Sequence, residues 1–245
     1  MHFSGVHMGT YGNAVAKEEG ILRKEQDEWA YHSHMRAVAA QQSGSFQEEI
    51  TPVAIPQRKG DALMITRDEA PRMDTSLEKL FQLRPVFGAD GTITAGNAPG
   101  LNDGAAALVL MSEERARQEG RAPLATILGH TAIAVEAKDF PRTPGYVINE
   151  LLRKKTGKTA KDIDLFEINE AFAAVVLVSS KIAGIPAEKV NVNGGAVALG
   201  HPIGASGARI IVTLIHALKA RGGGIGIAAI CSGGGQGDAV MIEVR

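Results

Sequence analysis

The chain predicts an α/β fold carrying a loop-rich insertion, and three observations lead there. From residue 124 onward, apolar stretches of strand length alternate with stretches of helical periodicity. Glycine-rich segments adjoin these stretches at 191–207 and 231–235, as where a chain leaves a sheet to make a site. Residues 50–94, in contrast, are irregular and charged, with no sustained period.

The first elements are helical. Residues 9–19 read as a helix stopped by Gly20. Residues 23–43 read as a second helix, with Ala30, His34, Ala37, Val38 and Gln41 on one face and Gly44 at its end. His32 and His34 lie two apart and point to different sides, so they read as surface histidines and not as a metal pair. Residues 50–55 alternate weakly and include proline, which allows at most an edge strand. Arg58, Lys59, Arg67, Arg72 and Arg84 form either a solvated face or a surface for an anionic ligand. Thr75 with Glu78 reads as a capping box for a short helix through Phe81. Residues 1–93 are therefore expected to form a helical, irregular loop domain.

Residues 94–104 carry a dense turn signal. Residues 105–111 are almost wholly apolar and are expected to form a strand buried on both faces. Ser112 caps a polar helix that ends near Gly120. Residues 94–121 thus make a second unit of strand plus helix, and the main domain covers 122–245.

In that domain a strand is expected at 124–135. Thr143 then caps a helix with Pro144 at its first position and Val147, Ile148, Leu151 and Leu152 on its inner face. A strand at 163–168 is followed by a helix over 170–183. A short strand at 190–192 leads through a glycine-rich loop into a helix with Ile210, Ile211, Leu214, Ile215 and Leu218 at helical spacing. Strands at 225–230 and 239–244 close the chain.

Composition sets bounds. The 245 residues are 44% hydrophobic and 22% charged, ordinary for a globular chain, and the net charge of −1 gives no global basic field for nucleic acid. The lone cysteine, Cys231, rules out an intramolecular disulfide and fits a reducing compartment. The opening Met-His-Phe-Ser-Gly-Val lacks the regions of a signal peptide, and no run reaches the ~18 apolar residues of a membrane span. The chain reads as cytoplasmic, with no nucleic-acid or membrane partner.

Three loops carry chemistry: Asn-Glu-Ala-Phe-Ala at 169–173, Gly-His-Pro-Ile-Gly-Ala-Ser-Gly at 200–207 and Cys-Ser-Gly-Gly-Gly at 231–235. Glycines let a ligand approach the backbone, and a helix start offers free N–H groups to negative charge. Cysteine, histidine and asparagine together are the inventory of a thiol nucleophile with its base and orienter. Taken singly, the second loop reads better as a glycine-rich turn with a structural histidine, and Cys231 reads equally as a buried thiol at a strand end.

In this order and at this spacing the three motifs resemble those of the thiolase family, the acetyl-CoA acetyltransferases and 3-ketoacyl-CoA thiolases. The likeness begins at His-Met-Gly-Thr, 7–10, and includes Ala-Gly-Asn-Ala-Pro-Gly-Leu-Asn-Asp-Gly at 95–104. It implies a thiolase-like layered fold, a mixed sheet flanked by helices. It also implies acyl-CoA and CoA as substrates, no permanently bound cofactor, no metal, and Claisen condensation or thiolytic cleavage in fatty acid metabolism. By resemblance, His201 activates the nucleophile and helps hold the thioester oxyanion. Cys231 is the general acid/base, Asn169 positions an oxyanion-hole water, and the Gly233 N–H completes the other oxyanion site. His7, Met8, Arg72, Ala95, Ala98, Pro99, Leu101, Ala171 and Phe172 match positions lining CoA or substrate. Pro99 departs from a serine common there, because proline cannot donate a hydrogen bond.

The family's acyl-accepting cysteine lies upstream of the histidine matching His7, where this chain starts. The resemblance therefore implies a thiolase lacking most of its N-terminal domain, working as a homo-oligomer or with a partner that supplies the missing half. A non-enzymatic CoA-binding or subunit-interaction chain is the alternative. A hydrolase with Cys231 as nucleophile is a third reading. A dinucleotide site at 224–229 is discounted, because those glycines precede a strand instead of following one.

Overall fold

The computed structural model describes residues 5–155 and 157–245; Met1 to Ser4, where the loop domain was expected to begin, lie outside them. The amino-terminal part is helical. Helix α1, Met8–Glu18, starts where His7 Nδ1 accepts a hydrogen bond from Gly9 N, 3.1 Å. Helix α2, Arg23–Ser43, ends at Gly44, whose φ of 77° few residues with a side chain adopt. Its inner face is unusually polar: Gln26, Asp27, Ser33 and His34 are buried beside Trp29, Ala30, Ala37 and Val38. Each of these side chains meets at least one partner, as burial favours, while Gln26 Oε1 has none among the described residues. Asp27 accepts from Asn97 and Arg23, and Gln26 donates to Thr92 Oγ1.

His34 corrects a sequence expectation. It is buried, because the segment around Arg72 crosses over it, and its Nδ1 accepts from Arg72 N, 3.2 Å. Burial, then the Arg72 charge, pushes it down to about 4, so it is neutral.

Strands β1, Val53–Ile55, and β2, Leu63–Ile65, pair as a small exposed antiparallel hairpin. Helix α3, Leu77–Phe81, is capped by Ser76, whose Oγ accepts from Lys79 N, and not by Thr75 as expected. Helix α4, Glu113–Gln118, is capped by Ser112 as expected. The strand expected at 105–111 does not form. Those residues run unpaired, with Val109 87% exposed, since no described strand lies beside them to complete a ladder.

The main sheet has four strands: β3, Thr126–Ala134; β4, Leu165–Ile168; β5, Gly224–Ser232; and β6, Gln236–Val244. Their order is β3-β6-β5-β4, with β4 and β5 parallel and the other pairs antiparallel. The expected strand at 190–192 is reduced to one bridge, Phe166 to Val190. The chain turns away because Asn191 has φ 47°, and its side chain replaces the ladder. Asn191 Oδ1 accepts from Ile168 N and its Nδ2 donates to Ile168 O, both 2.8 Å.

Helices α5, Thr143–Lys155; α6, Ala173–Ala183; α7, Ala196–Leu199; and α8, Ser206–Lys219, complete the fold. The sheet is covered on both faces. Ile227, Ala229 and Met241 pack with α5, α6 and Trp29, while Ala228, Ile242 and Val244 pack under Ile210, Leu214 and Leu218 of α8. Gly226 is needed there, because a side chain would strike Leu214. The parallel pair β4 and β5 delivers its two carboxyl ends to the same edge of the sheet, and the site begins there.

Candidate active site

Asn169 follows β4 directly, and its N–H donates to Ala229 O on β5, 2.9 Å. Cys231 lies two residues further along β5. Adjacent parallel strands thus bring the amide and the thiol to one end of the sheet.

His201 comes from the loop between α7 and α8. Gly200, at φ 96°, lets the chain turn there, and Asn102 presses so close that a side chain on Gly200 would overlap it. Pro202 packs in the same way over Gly104, so the 94–104 segment lies on the His201 loop. Asn97 anchors that segment. It donates to Asp27 Oδ1, accepts from Thr94 N, and its carbonyl accepts from Ala173 N at the start of α6.

The imidazole is held at both nitrogens. Ser206 Oγ donates its one proton to Pro202 O, 3.0 Å, so toward His201 Nδ1, 2.6 Å away, it acts as acceptor. That places the ring proton on Nδ1 and leaves Nε2 to accept from Asn169 Nδ2, 3.3 Å. Burial, then the Arg209 charge, holds His201 below the usual histidine range. A neutral ring whose Nε2 carries a lone pair can take a proton there in place of the Asn169 contact. The other amide atom of Asn169, Oδ1, is buried without a partner among the described residues.

Cys231 is buried, and burial pushes its thiol up to about 12. It belongs to an apolar cluster with Phe172, Val175 and Phe140, against which Met8, Ala98, Ala171 and Phe87 pack. Met8 also approaches Gly233: its sulfur lies 4.0 Å from where a Cβ on that glycine would sit. His7 stacks on Phe87, ring centroids 4.3 Å apart, and Phe87 meets Phe172 edge-on. The sequence-derived residues Met8, Ala98, Ala171, Phe172 and Cys231 therefore form one wall. Ala95, Leu101 and Arg72 are exposed, Leu101 at 97%, and Pro99 is half-buried. A groove of about 480 Å³ between α1 and residues 87–92 is lined by none of the three loops and meets this cluster through Ile21 and Phe87.

Sequence reasoning missed Ser206, Glu170, Glu167 and Asn97. Ser206 and Glu170 stand inside the quoted motifs, and their spacing from His201 and Asn169 was the available signal. Glu167 is fully buried on β4, with Arg209 Nη1 3.5 Å from its Oε2.

A mixed sheet covered by helices, with Asn169 and His201 in contact and Cys231 at the same end of the neighbouring strand, makes this an α/β chain with an amide–imidazole site at the end of its sheet. The thiolase N-terminal domain matches residues 1–114 and the thiolase C-terminal domain residues 121–244. An acetyl-CoA acetyltransferase of Chromobacterium violaceum is 49% identical over 241 residues, 98% of this chain and 61% of that protein. A probable acetyl-CoA acyltransferase of Staphylococcus aureus is 48% identical over the same span. The crystal structure of the Bacillus anthracis acetyl-CoA acetyltransferase superposes with a TM-score of 0.94 at 48% identity, over 98% of this chain and 60% of that one. The chain belongs to the thiolase family. It spans about three fifths of the length of these relatives.

Proposed function

We propose that these 245 residues carry the acid–base and oxyanion-binding part of thiolase-type acyl transfer, cleaving or forming 3-ketoacyl-CoA such as acetoacetyl-CoA. The Asn169–His201 contact, with the ring proton set by Ser206, is the observation that supports this most. A histidine fixed in this tautomer can take the nucleophile's proton at Nε2, and the N–H so formed then faces the charge that develops on a thioester oxygen, which typically matters by a few kcal/mol. Asn169 Oδ1, open to an acceptor role, suits holding a water there. Cys231, protonated at neutral pH, suits proton donation to a leaving carbanion or thiolate. Gly233 N–H takes the second oxyanion. The CoA moiety lies along His7, Met8, Ala98, Pro99, Ala171 and Phe172, with Ala95 and Leu101 at the mouth and the Arg72 guanidinium toward the nucleotide phosphates. CoA and acyl-CoA are substrates, with no resident cofactor. Residues 1–93 serve CoA, 94–121 belong to the N-terminal unit, and 122–245 carry the catalytic loops.

Acyl transfer by a covalent intermediate needs a nucleophile and a separate base. Cys231 is the only cysteine of the 245 residues, so the nucleophile comes from another polypeptide or from further thiolase sequence. The exposed apolar residues Leu101, Val109, Leu110 and Ile203 are the surface that receives it. The test combines the chain with an N-terminal thiolase polypeptide bearing its cysteine and follows acetoacetyl-CoA cleavage. Asn169→Ala and His201→Ala should each cost about 10²–10³ in kcat. Unchanged turnover in either variant removes that residue from the mechanism.

A further inference from the structure

We infer that Glu170 is the positioning residue that sets the Asn169–His201 pair, acting from behind the site through the chain on either side of it. The inference rests on the reading of that pair just given. Glu170 is fully buried, with no arginine or lysine among its hydrogen-bond partners. Four donors converge on its carboxyl group instead. Oε1 accepts from Trp29 Nε1 and Asn191 Nδ2, both 2.9 Å. Oε2 accepts from Ser33 Oγ and Val197 N, both 2.8 Å. Ser33 Oγ in turn accepts from Gly195 N, so its proton is committed to Glu170.

The four partners come from three places. Trp29 and Ser33 belong to α2, and Asn191 directly follows Val190, the residue bridged to Phe166. Val197 lies in α7, four residues before His201. Glu170 itself adjoins Asn169. One carboxyl group therefore fixes the asparagine on its own strand end and the short helix that delivers the histidine. Gly195 is part of the same fit: a side chain there would strike the Glu170 carboxyl group. Neither glutamine orientation satisfies this ring, because an NH2 at either position faces two donors.

The test reads His201 directly and needs no turnover. Long-range nitrogen–proton NMR of the 245-residue chain gives the His201 tautomer and titration midpoint. In Glu170→Gln the midpoint should move upward, toward that of an ordinary histidine, because a loosened α7 admits water to a ring now held down by burial. Trp29→Phe, which removes one of the four donors, should shift it the same way by less. Lys219→Ala, on the exposed end of α8, should leave it in place. A Glu170→Gln protein that melts earlier but keeps the His201 titration and tautomer unchanged would overturn the inference, making Glu170 merely structural. Should Glu170→Gln fail to fold, an unchanged titration in Trp29→Phe overturns it instead. Unchanged turnover of the combined enzyme on His201→Ala would count against the functional reading and leave this inference standing.

Discussion

Replacing Glu167 by glutamine should stabilise the chain above pH 5. Glu167 is 1% exposed, and its Oε1 has no partner among the described residues. Burial pushes its carboxyl group from an ordinary 4.5 up to about 8; Arg209 opposes this, while Glu170 and Glu49 add to it. A group raised in the folded state contributes fully below its unfolded value and loses that contribution as pH rises through its folded value. The window is therefore pH 4.5 to about 8. At pH 7 the unfolded carboxyl has released its proton and the folded one has not, which costs about 3 kcal/mol. Glutamine mimics the protonated acid and removes that cost, less whatever attraction to Arg209 is lost. Urea unfolding, followed by fluorescence of the single Trp29, measures the difference across this range. The variant's stability should exceed that of the unmodified chain increasingly from pH 5 to 8. Parallel profiles, or a variant less stable at pH 7, would refute the reasoning.

Other expectations follow from the same structure. Ser206→Ala leaves the His201 Nδ1–H without its acceptor and should cost about 1–3 kcal/mol by urea unfolding, or move the ring proton to Nε2 as seen by NMR. Neither change would show that Ser206 does not set the tautomer. Phe166→Ala, in the fully buried centre of β4, should cost about 3–5 kcal/mol, and a loss below ~1 would contradict its place in the core. Arg72→Ala should weaken CoA, measured by calorimetry, more than pantetheine. Equal weakening of both would remove Arg72 from the phosphate end.

Helices α2, α5 and α8 were legible because apolar residues recur at helical spacing and a glycine or capping residue marks an end. The burial of Val147, Ile148, Leu151 and Leu152 follows from that period alone. The strand expected at 105–111 was not, because an apolar run says that a segment wants covering and not that a partner lies beside it. His34 was misread because helical spacing shows which residues share a face, while a polar face is buried only when distant groups answer it. In the site, the motifs brought Asn169, His201, Cys231 and Gly233 forward by resemblance. The hydrogen bonds that aim them were not legible, since Trp29 and Glu170 meet across 141 residues. Asn191, whose side chain stands in for a strand, leaves no periodic signal at all.

The most direct measurement is acetoacetyl-CoA cleavage by the purified chain of verified mass, alone and with an N-terminal thiolase polypeptide that carries the acyl-accepting cysteine. The account predicts no turnover by the chain alone, turnover on mixing, and its loss on Cys231→Ala. Robust turnover by the 245-residue chain alone, abolished by Cys231→Ala, would make Cys231 the nucleophile and contradict the account.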